Sequence, residues 1–245
     1  MNRSKPKGFQ CKQFFVGHDN CAMKVSTDSL ILGSIVDVGH ARSILDVGTG
    51  SGILALMLAQ KSATDATVTA IDIDSEAIAQ ATHNAANSPW PEKIQVVQSP
   101  LQNMDRHQRY DLIVSNPPYF ANALSPTRAY ASMSERRGQA RKEQTLSIDD
   151  FFAQTAVLSH AWSRLYCMYP FAREAVVFNS ALQSGWHVKR SLSVRHNASS
   201  APYLGVYCFV REPAPVVAEA LIIRTDENQY TREYKQLCAD FYLNF

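Results

Sequence analysis

An α/β fold on a mostly parallel sheet, seven strands wide and ending in an antiparallel hairpin, is predicted by three observations. From Ser43 onward, short apolar runs alternate with helical patterns, as crossover connections require. A glycine-rich turn follows the first of these runs. The last two runs are separated only by a polar turn, which leaves no room for a helix between them.

Ser43 to Val47 is the first strand and runs into Gly48-Thr49-Gly50-Ser51-Gly52. Ile53, Leu54, Leu56, Met57 and Leu58 then make a helical apolar face with no breaker before the Ser62 to Asp65 region. Thr67 to Ile71 is the second strand and ends in Asp72-Ile73-Asp74. Ser75 to Asn87 is an alanine-rich helix that Ser75 can cap. Ile94 to Val97 is the third strand. Tyr110 to Ser115 is the fourth, and it must stop at Asn116-Pro117-Pro118-Tyr119, because a ladder cannot continue through two prolines.

Ser147 to Ser159 reads as a helix, Arg164 to Tyr169 as a strand, and Glu174 to Gln183 as a helix closed by Gly185. Trp186 to Val194 and Gly205 to Val210 complete the seven strands, and Ala218 to Arg224 can add an edge strand. Tyr230 to Phe245 alternates aromatics with charges. No repeat or linker interrupts the chain, so 1–245 is expected to be a single domain, with an N-terminal extension at 1–42 and a core at 43–245.

Composition narrows the chemistry. Hydrophobic residues make up 46% of the chain and charged ones 19%, enough to bury a core without disulfides or metals. No window approaches the roughly twenty apolar residues of a membrane span. The start MNRSKPKGFQ lacks the apolar stretch of a secretion signal, so a cytoplasmic location off the membrane is expected. Cys11, Cys21, Cys167, Cys208 and Cys238 form no C-x-x-C pair, and the histidines fall in no metal-binding pattern. Reduced thiols and no metal are the expectation, and a monomer is expected.

The net charge of +2 does not by itself collect a polyanion, but its distribution is uneven. Arg3, Lys5, Lys7 and Lys12 precede the first acid. Arg128, Arg136, Arg137, Arg141 and Lys142 cluster after the Pro-Pro turn. Both groups can hold phosphates, or can be an ordinary solvated tail and loop.

Asp46-Val47-Gly48-Thr49-Gly50-Ser51-Gly52 lets backbone pass close to a ligand. The spacing is not the G-x-G-x-x-G of pyrophosphate sites, and an acid stands before it. A carboxylate at this place suits an ammonium better than a phosphate, which points to S-adenosylmethionine. Asp72 ends the second strand, where an acid can accept from both ribose hydroxyls; Asp74 is close enough to compete, but the apolar run stops at Asp72.

Asn116-Pro117-Pro118-Tyr119 fits the acceptor side of such a reaction. An amide or aryl amine is a poor nucleophile because its lone pair is delocalised. The Asn116 side-chain oxygen and the following backbone carbonyl are two acceptors in a fixed fork, able to bind both N–H bonds of an NH₂ group. Pro117 and Pro118 hold the fork rigid, and Tyr119 offers a planar face for stacking. A plain proline-rich turn is the competing reading of these four residues alone.

Together the glycine loop and Asn-Pro-Pro-Tyr resemble the class I amino-methyltransferases, whose fold is Rossmann-like. Met23-Lys24-Val25-Ser26-Thr27-Asp28, Phe14-Phe15-Val16, Asp28 to Gly33 and the ending Asp240-Phe241-Tyr242-Leu243-Asn244-Phe245 resemble one branch, the bacterial tRNA(Val) adenine N6-methyltransferases. The likeness covers nearly the whole chain. It implies tRNA as partner, methyl transfer to the adenine 3′ of the anticodon, and a 1–42 extension made of a basic tail and a cofactor-closing segment. Lys24, Thr27 and Asp28 would close the cofactor pocket, with Gly48, Thr49, Gly50, Gly52, Ile73 and Asn116 around the cofactor. Thr27-Asp28 before Leu30-Ile31-Leu32 is also a plain helix cap.

One departure stands out. By the same resemblance, relatives commonly carry an acid after the third strand, whereas Val97-Gln98-Ser99-Pro100 offers no carboxylate; Ser99 or a backbone carbonyl would have to take its place. Competing readings are a protein glutamine N5-methyltransferase, a guanine N2 or DNA adenine N6-methyltransferase, and a non-catalytic RNA-binding descendant. The first usually carries an N-terminal helical domain, for which the residues before Ser43 leave little room.

Overall fold

Strands that are apolar on both faces belong in a sheet covered on both sides, and that is what the chain builds. The computed structural model describes residues 7–18, 25–117 and 146–243. A small antiparallel pair, β1 (Gly8–Gln10) and β2 (Phe15–Gly17), is followed by α1 (Thr27–Ile35). Then come β3 (Ser43–Val47), α2 (Ile53–Lys61), β4 (Thr67–Asp72), α3 (Ser75–Ala86), β5 (Ile94–Gln98) and β6 (Tyr110–Ser115). The second half holds α4 (Ile148–Val157), β7 (Ser159–Pro170), α5 (Glu174–Gln183), β8 (His187–Arg195), β9 (Leu204–Val210), β10 (Val217–Ile222) and α6 (Arg232–Leu237).

The sheet has eight strands in the order β10-β8-β9-β7-β6-β3-β4-β5, one more than the seven expected. The extra one is the edge strand β10, which pairs in parallel with β8. Strands β3 to β7 pair in parallel, and β9 alone runs the other way, inserted between β7 and β8. The antiparallel hairpin β8–β9 is therefore folded into the sheet, not added at its rim.

Alternation assigns each side chain to one of two cores. On one face Ile44, Leu112, Val114, Tyr166 and Met168 pack with α1 and α2, and on the other Leu45, Ile113, Leu165 and Cys167 pack with Phe151, Phe152 and Val177 of α4 and α5. Both ends of the described chain join the first face: Cys11 bridges to Tyr242, and the Lys12 amide donates to the Phe241 carbonyl at 2.9 Å.

Three local expectations change. Helix α3 is capped by Asp74, not Ser75: its carboxylate accepts from the Glu76 and Ala77 amides at 2.9 and 3.4 Å. Helix α1 is capped by Ser26, not Thr27, with the Ser29 amide donating to Ser26 Oγ at 3.2 Å. Strand β7 begins at Ser159, the last residue read into the preceding helix and five before the expected start at Arg164: Ser159 lies opposite Tyr110 of β6, and Ser163 Oγ donates to the Tyr110 carbonyl at 2.6 Å.

Candidate active site

The parallel strands end together, and their last residues set the site. Val47 of β3 lies opposite Ser115 of β6, and Ser115 Oγ donates to the Val47 carbonyl at 2.8 Å. Gly48 and Asn116, the next residue of each chain segment, therefore leave the sheet side by side. On the other flank Val47 pairs with Ile71, and Asp72 pairs with Gln98.

Gly48, Gly50 and Gly52 all take positive φ, of 73°, 55° and 83°. A Cβ at Gly52 would lie 3.3 Å from the Ala81 Cβ, so this glycine is needed for packing on α3. At Gly48 and Gly50 a Cβ would meet nothing within 4 Å; they face open space, where a ligand can approach the backbone.

Asp46 lies beneath this loop with no exposed surface. Its Oδ2 accepts from Thr49 Oγ1 at 2.6 Å and from the Ala55 amide at 3.1 Å, so the carboxylate staples the loop to the first turn of α2. Its Oδ1 is buried without a hydrogen-bond partner. Burial pushes the Asp46 carboxyl up to about 7. A cation bound over Gly48 and Gly50 would supply the missing countercharge through the field, not by direct contact. The orphaned oxygen and the open glycine cradle thus fit an ammonium-bearing ligand such as S-adenosylmethionine.

The two neighbouring acids do different work. Asp72 Oδ2 accepts from the Gly50 amide at 2.9 Å and its Oδ1 from the Asp74 amide at 3.0 Å, which puts the carboxylate against the glycine loop. Asp74 is the α3 cap. Burial raises the Asp72 carboxyl, while the Asp74 and Gly50 amides pull it back. Ile73 is 40% exposed beside it, an apolar surface at the sheet edge. Ser99 donates its amide to the Asp72 carbonyl at 3.0 Å and its hydroxyl to the Pro100 carbonyl at 3.0 Å.

Asn116 Nδ2 donates to Ser29 Oγ at 3.1 Å, a partner from α1 that no local pattern announces. The bond ties the Asn116 side-chain amide to the first turn of α1. Asn84 was also missed: this buried α3 amide donates to the Gly17 carbonyl at 2.9 Å and the Ser51 carbonyl at 2.8 Å, and accepts from the Gly17 amide at 3.0 Å. It joins the N-terminal hairpin to the glycine loop. A polar Gln80/Asn84 pair on the inward face of an alanine-rich helix was the available signal.

The remaining expected residues scatter. Thr27 opens α1, and Asp28 Oδ1 accepts from the Tyr203 hydroxyl at 2.8 Å, on the side of the sheet beyond β6. Lys12 is not brought to this edge: its ammonium donates to the Ala239 carbonyl at 2.5 Å, beside the C-terminal end of α1. Lys7 is exposed at the start of the hairpin. Pro117 is the last described residue of the acceptor motif; Lys5, Lys24, Pro118, Tyr119, Arg128, Arg136, Arg137, Arg141 and Lys142 lie outside the described residues.

Comparison with known proteins agrees with this geometry. The Methyltransferase small domain family matches residues 20–140. A tRNA1(Val) (adenine(37)-N6)-methyltransferase of Actinobacillus pleuropneumoniae serotype 7 is 34% identical over 98% of this chain and 99% of its own. The enzymes of the same name from Photorhabdus laumondii and Pseudoalteromonas translucida are each 37% identical, covering 97% and 96% of this chain and 96% and 98% of theirs. Among solved structures, a predicted O-methyltransferase from Agrobacterium tumefaciens superposes with a TM-score of 0.65 at 15% identity, over 86% of this chain and 95% of its own. The ribosomal protein L11 methylase of Lactobacillus delbrueckii superposes with a TM-score of 0.52 at 20% identity, over 76% and 78%. These last two speak for the fold alone.

Proposed function

Because the chain belongs to the tRNA1(Val) (adenine(37)-N6)-methyltransferase family, we propose that it transfers a methyl group from S-adenosylmethionine to the N6 amine of an adenine in tRNA, the adenine 3′ of the anticodon in valine tRNA. The observation that carries the reading is the pairing of Val47 with Ser115, which makes Gly48 and Asn116 leave adjoining strand ends side by side and sets an acceptor-type amide beside a loop suited to an ammonium-bearing cofactor.

When bound, S-adenosylmethionine supplies a methyl group on a cationic sulfur that leaves as a neutral thioether. The chain's own residues then have positional tasks. Gly48 and Gly50 let backbone approach the ligand, with Thr49 and Gly52 fixing the loop, and Asp46 stabilises positive charge above it. Asp72 accepts from the ribose hydroxyls, Ile73 packs against the adenine ring, and Ser99 or its neighbouring carbonyls take the place of the missing adenine-binding acid. The Asn116 oxygen and the Pro117 carbonyl hold the N–H bonds of the acceptor amine, turning its lone pair out of conjugation and towards the methyl. Tyr119 stacks on the base. The amine nitrogen loses its proton after transfer, when it has become acidic, so no strong base is required.

Lys7 and the basic run at Arg128, Arg136, Arg137, Arg141 and Lys142 are assigned to the RNA phosphates. The chain works as one methyltransferase domain, 1–245, without a metal, as a monomer in the cytoplasm. No helix among the described residues is long and apolar enough to cross a membrane. Incubation with labelled S-adenosylmethionine and separate pools of tRNA, DNA and protein tests the reading. Label recovered as N6-methyladenosine from tRNA is the expected result, and label confined to protein would overturn it.

A further inference from the structure

A cavity of about 310 Å³ opens on the same edge of the sheet as Asn116, over the β8 and β9 ends. Thr27, Asp28, His196, Tyr203, Arg224 and Tyr230 line it. The volume gives room for a single nucleotide.

Its walls are those of a base-binding slot. His196 stacks on Tyr203 with centroids 4.1 Å apart and planes within 4°. The Arg224 guanidinium lies 4.2 Å over the Tyr230 ring. Flat aromatic and guanidinium surfaces bind unpaired bases through their π-faces. The one acid, Asp28, is out of place in a phosphate cradle, yet its carboxylate is held by the Tyr203 hydroxyl and keeps further acceptor capacity for the N–H edge of a base.

The first turn of α1 is the wall shared with the acceptor site. Ser29 bonds Asn116, while Thr27 and Asp28 face the cavity. A helical turn rises about 5.4 Å, on the order of the spacing between neighbouring bases. The Asp28 carboxylate is tied to Tyr203, which leads into β9, two places from β6 in the sheet order.

We propose that this cavity is a second nucleotide subsite, which holds the unpaired base next to the acceptor adenine against the His196–Tyr203 and Arg224–Tyr230 pairs, with Asp28 reading its N–H edge. The proposal rests on the RNA methyltransferase reading above. It gives Thr27 and Asp28 a ligand different from the cofactor that the family resemblance implies for them.

The test uses the full chain and a synthetic anticodon stem-loop, intact or carrying a single abasic nucleotide on the 5′ or the 3′ side of the acceptor adenine. His196→Ala and Arg224→Gln are measured beside Trp162→Ala, a control at the opposite edge of the sheet, and S-adenosylmethionine binding verifies the folding of each. The subsite predicts that both variants raise the KM for the intact RNA by roughly ten-fold, the scale of one lost base stack. One of the two abasic RNAs should impose a similar penalty on the wild type, and the variants should add little to it. Wild-type KM in both variants, or an equal loss on all three RNAs, would overturn the subsite while leaving the function standing. Failure of the wild type to methylate any of the RNAs would overturn both.

Discussion

Asn116 and Ser29, far apart in sequence, are joined by a 3.1 Å hydrogen bond that locks the Asn116 amide to the first turn of α1. An enzyme that works by aiming two groups at each other depends on such a bond. Asn116→Ala should abolish methyl transfer and leave S-adenosylmethionine affinity near normal. Ser29→Ala, which removes only the brace, should lower turnover by about 3- to 10-fold, the scale of one net hydrogen bond. Single-turnover rates check both; wild-type turnover in Asn116→Ala would refute the acceptor assignment.

The acids at the end of β4 can be separated. Asp72→Ala should weaken S-adenosylmethionine binding in calorimetry with little loss of stability, because its carboxylate borders the glycine loop. Asp74→Ala should do the reverse and cost about 0.5–2 kcal/mol in denaturant unfolding, as expected for a lost N-cap. Equal affinities for the two variants would return the ribose role to neither.

The pH response of Asp46 has a definite sign. Its folded carboxyl titrates near 7, above the roughly 3.9 of an unfolded aspartate, so the folded state binds the extra proton between these values. Stability of the ligand-free protein should fall as pH rises through that window and level off above it. A bound cation favours the carboxylate, so S-adenosylmethionine affinity should rise with pH up to about 7, with proton release on binding at pH 6. Calorimetry in buffers of different ionisation enthalpy measures that proton, and Asp46→Asn should remove it.

The glycines of the loop should part in the same way. Each substitution to alanine forces an L-residue into left-handed backbone, at roughly 1–2 kcal/mol. Gly52→Ala adds the contact with Ala81 and should lower the melting temperature most. Gly48→Ala and Gly50→Ala put a methyl into open space and should be read chiefly as lost cofactor affinity. A melting temperature for Gly50→Ala below that of Gly52→Ala would contradict this division.

What the sequence made legible was local or periodic. The β3, β6 and α5 boundaries follow from apolar runs and breakers, and the glycine loop and Asn-Pro-Pro-Tyr announce themselves by composition. Residues whose work depends on distant partners stayed hidden. No pattern near Ser29 points to Asn116, or near Asp28 to Tyr203. Asp46 was legible as an acid before a glycine turn, but its burial under that turn is a three-dimensional fact, and it moves the proposed role from direct contact to countercharge. The start of β7 was missed because Ser159 to Ser163 carries no apolar run, and its place is set by the pairing of Ser159 with Tyr110 and by the Ser163 hydroxyl bond to the Tyr110 carbonyl. Lys12 looked like part of a basic tail, and only packing of the two chain ends reveals that its ammonium serves the Ala239 carbonyl.

The insertion of β9 between β7 and β8 sets an order on assembly. Both pairing partners of β8, namely β9 and β10, come later in the chain. A nascent polypeptide leaving the ribosome therefore presents β8 with no strand to join, and β7 with an open flank, until Val210 has emerged. Holding the nascent chain at a point where Arg195 but not Val210 has emerged should leave an exposed apolar edge that recruits chaperones, whereas holding it after Ile222 has emerged should not.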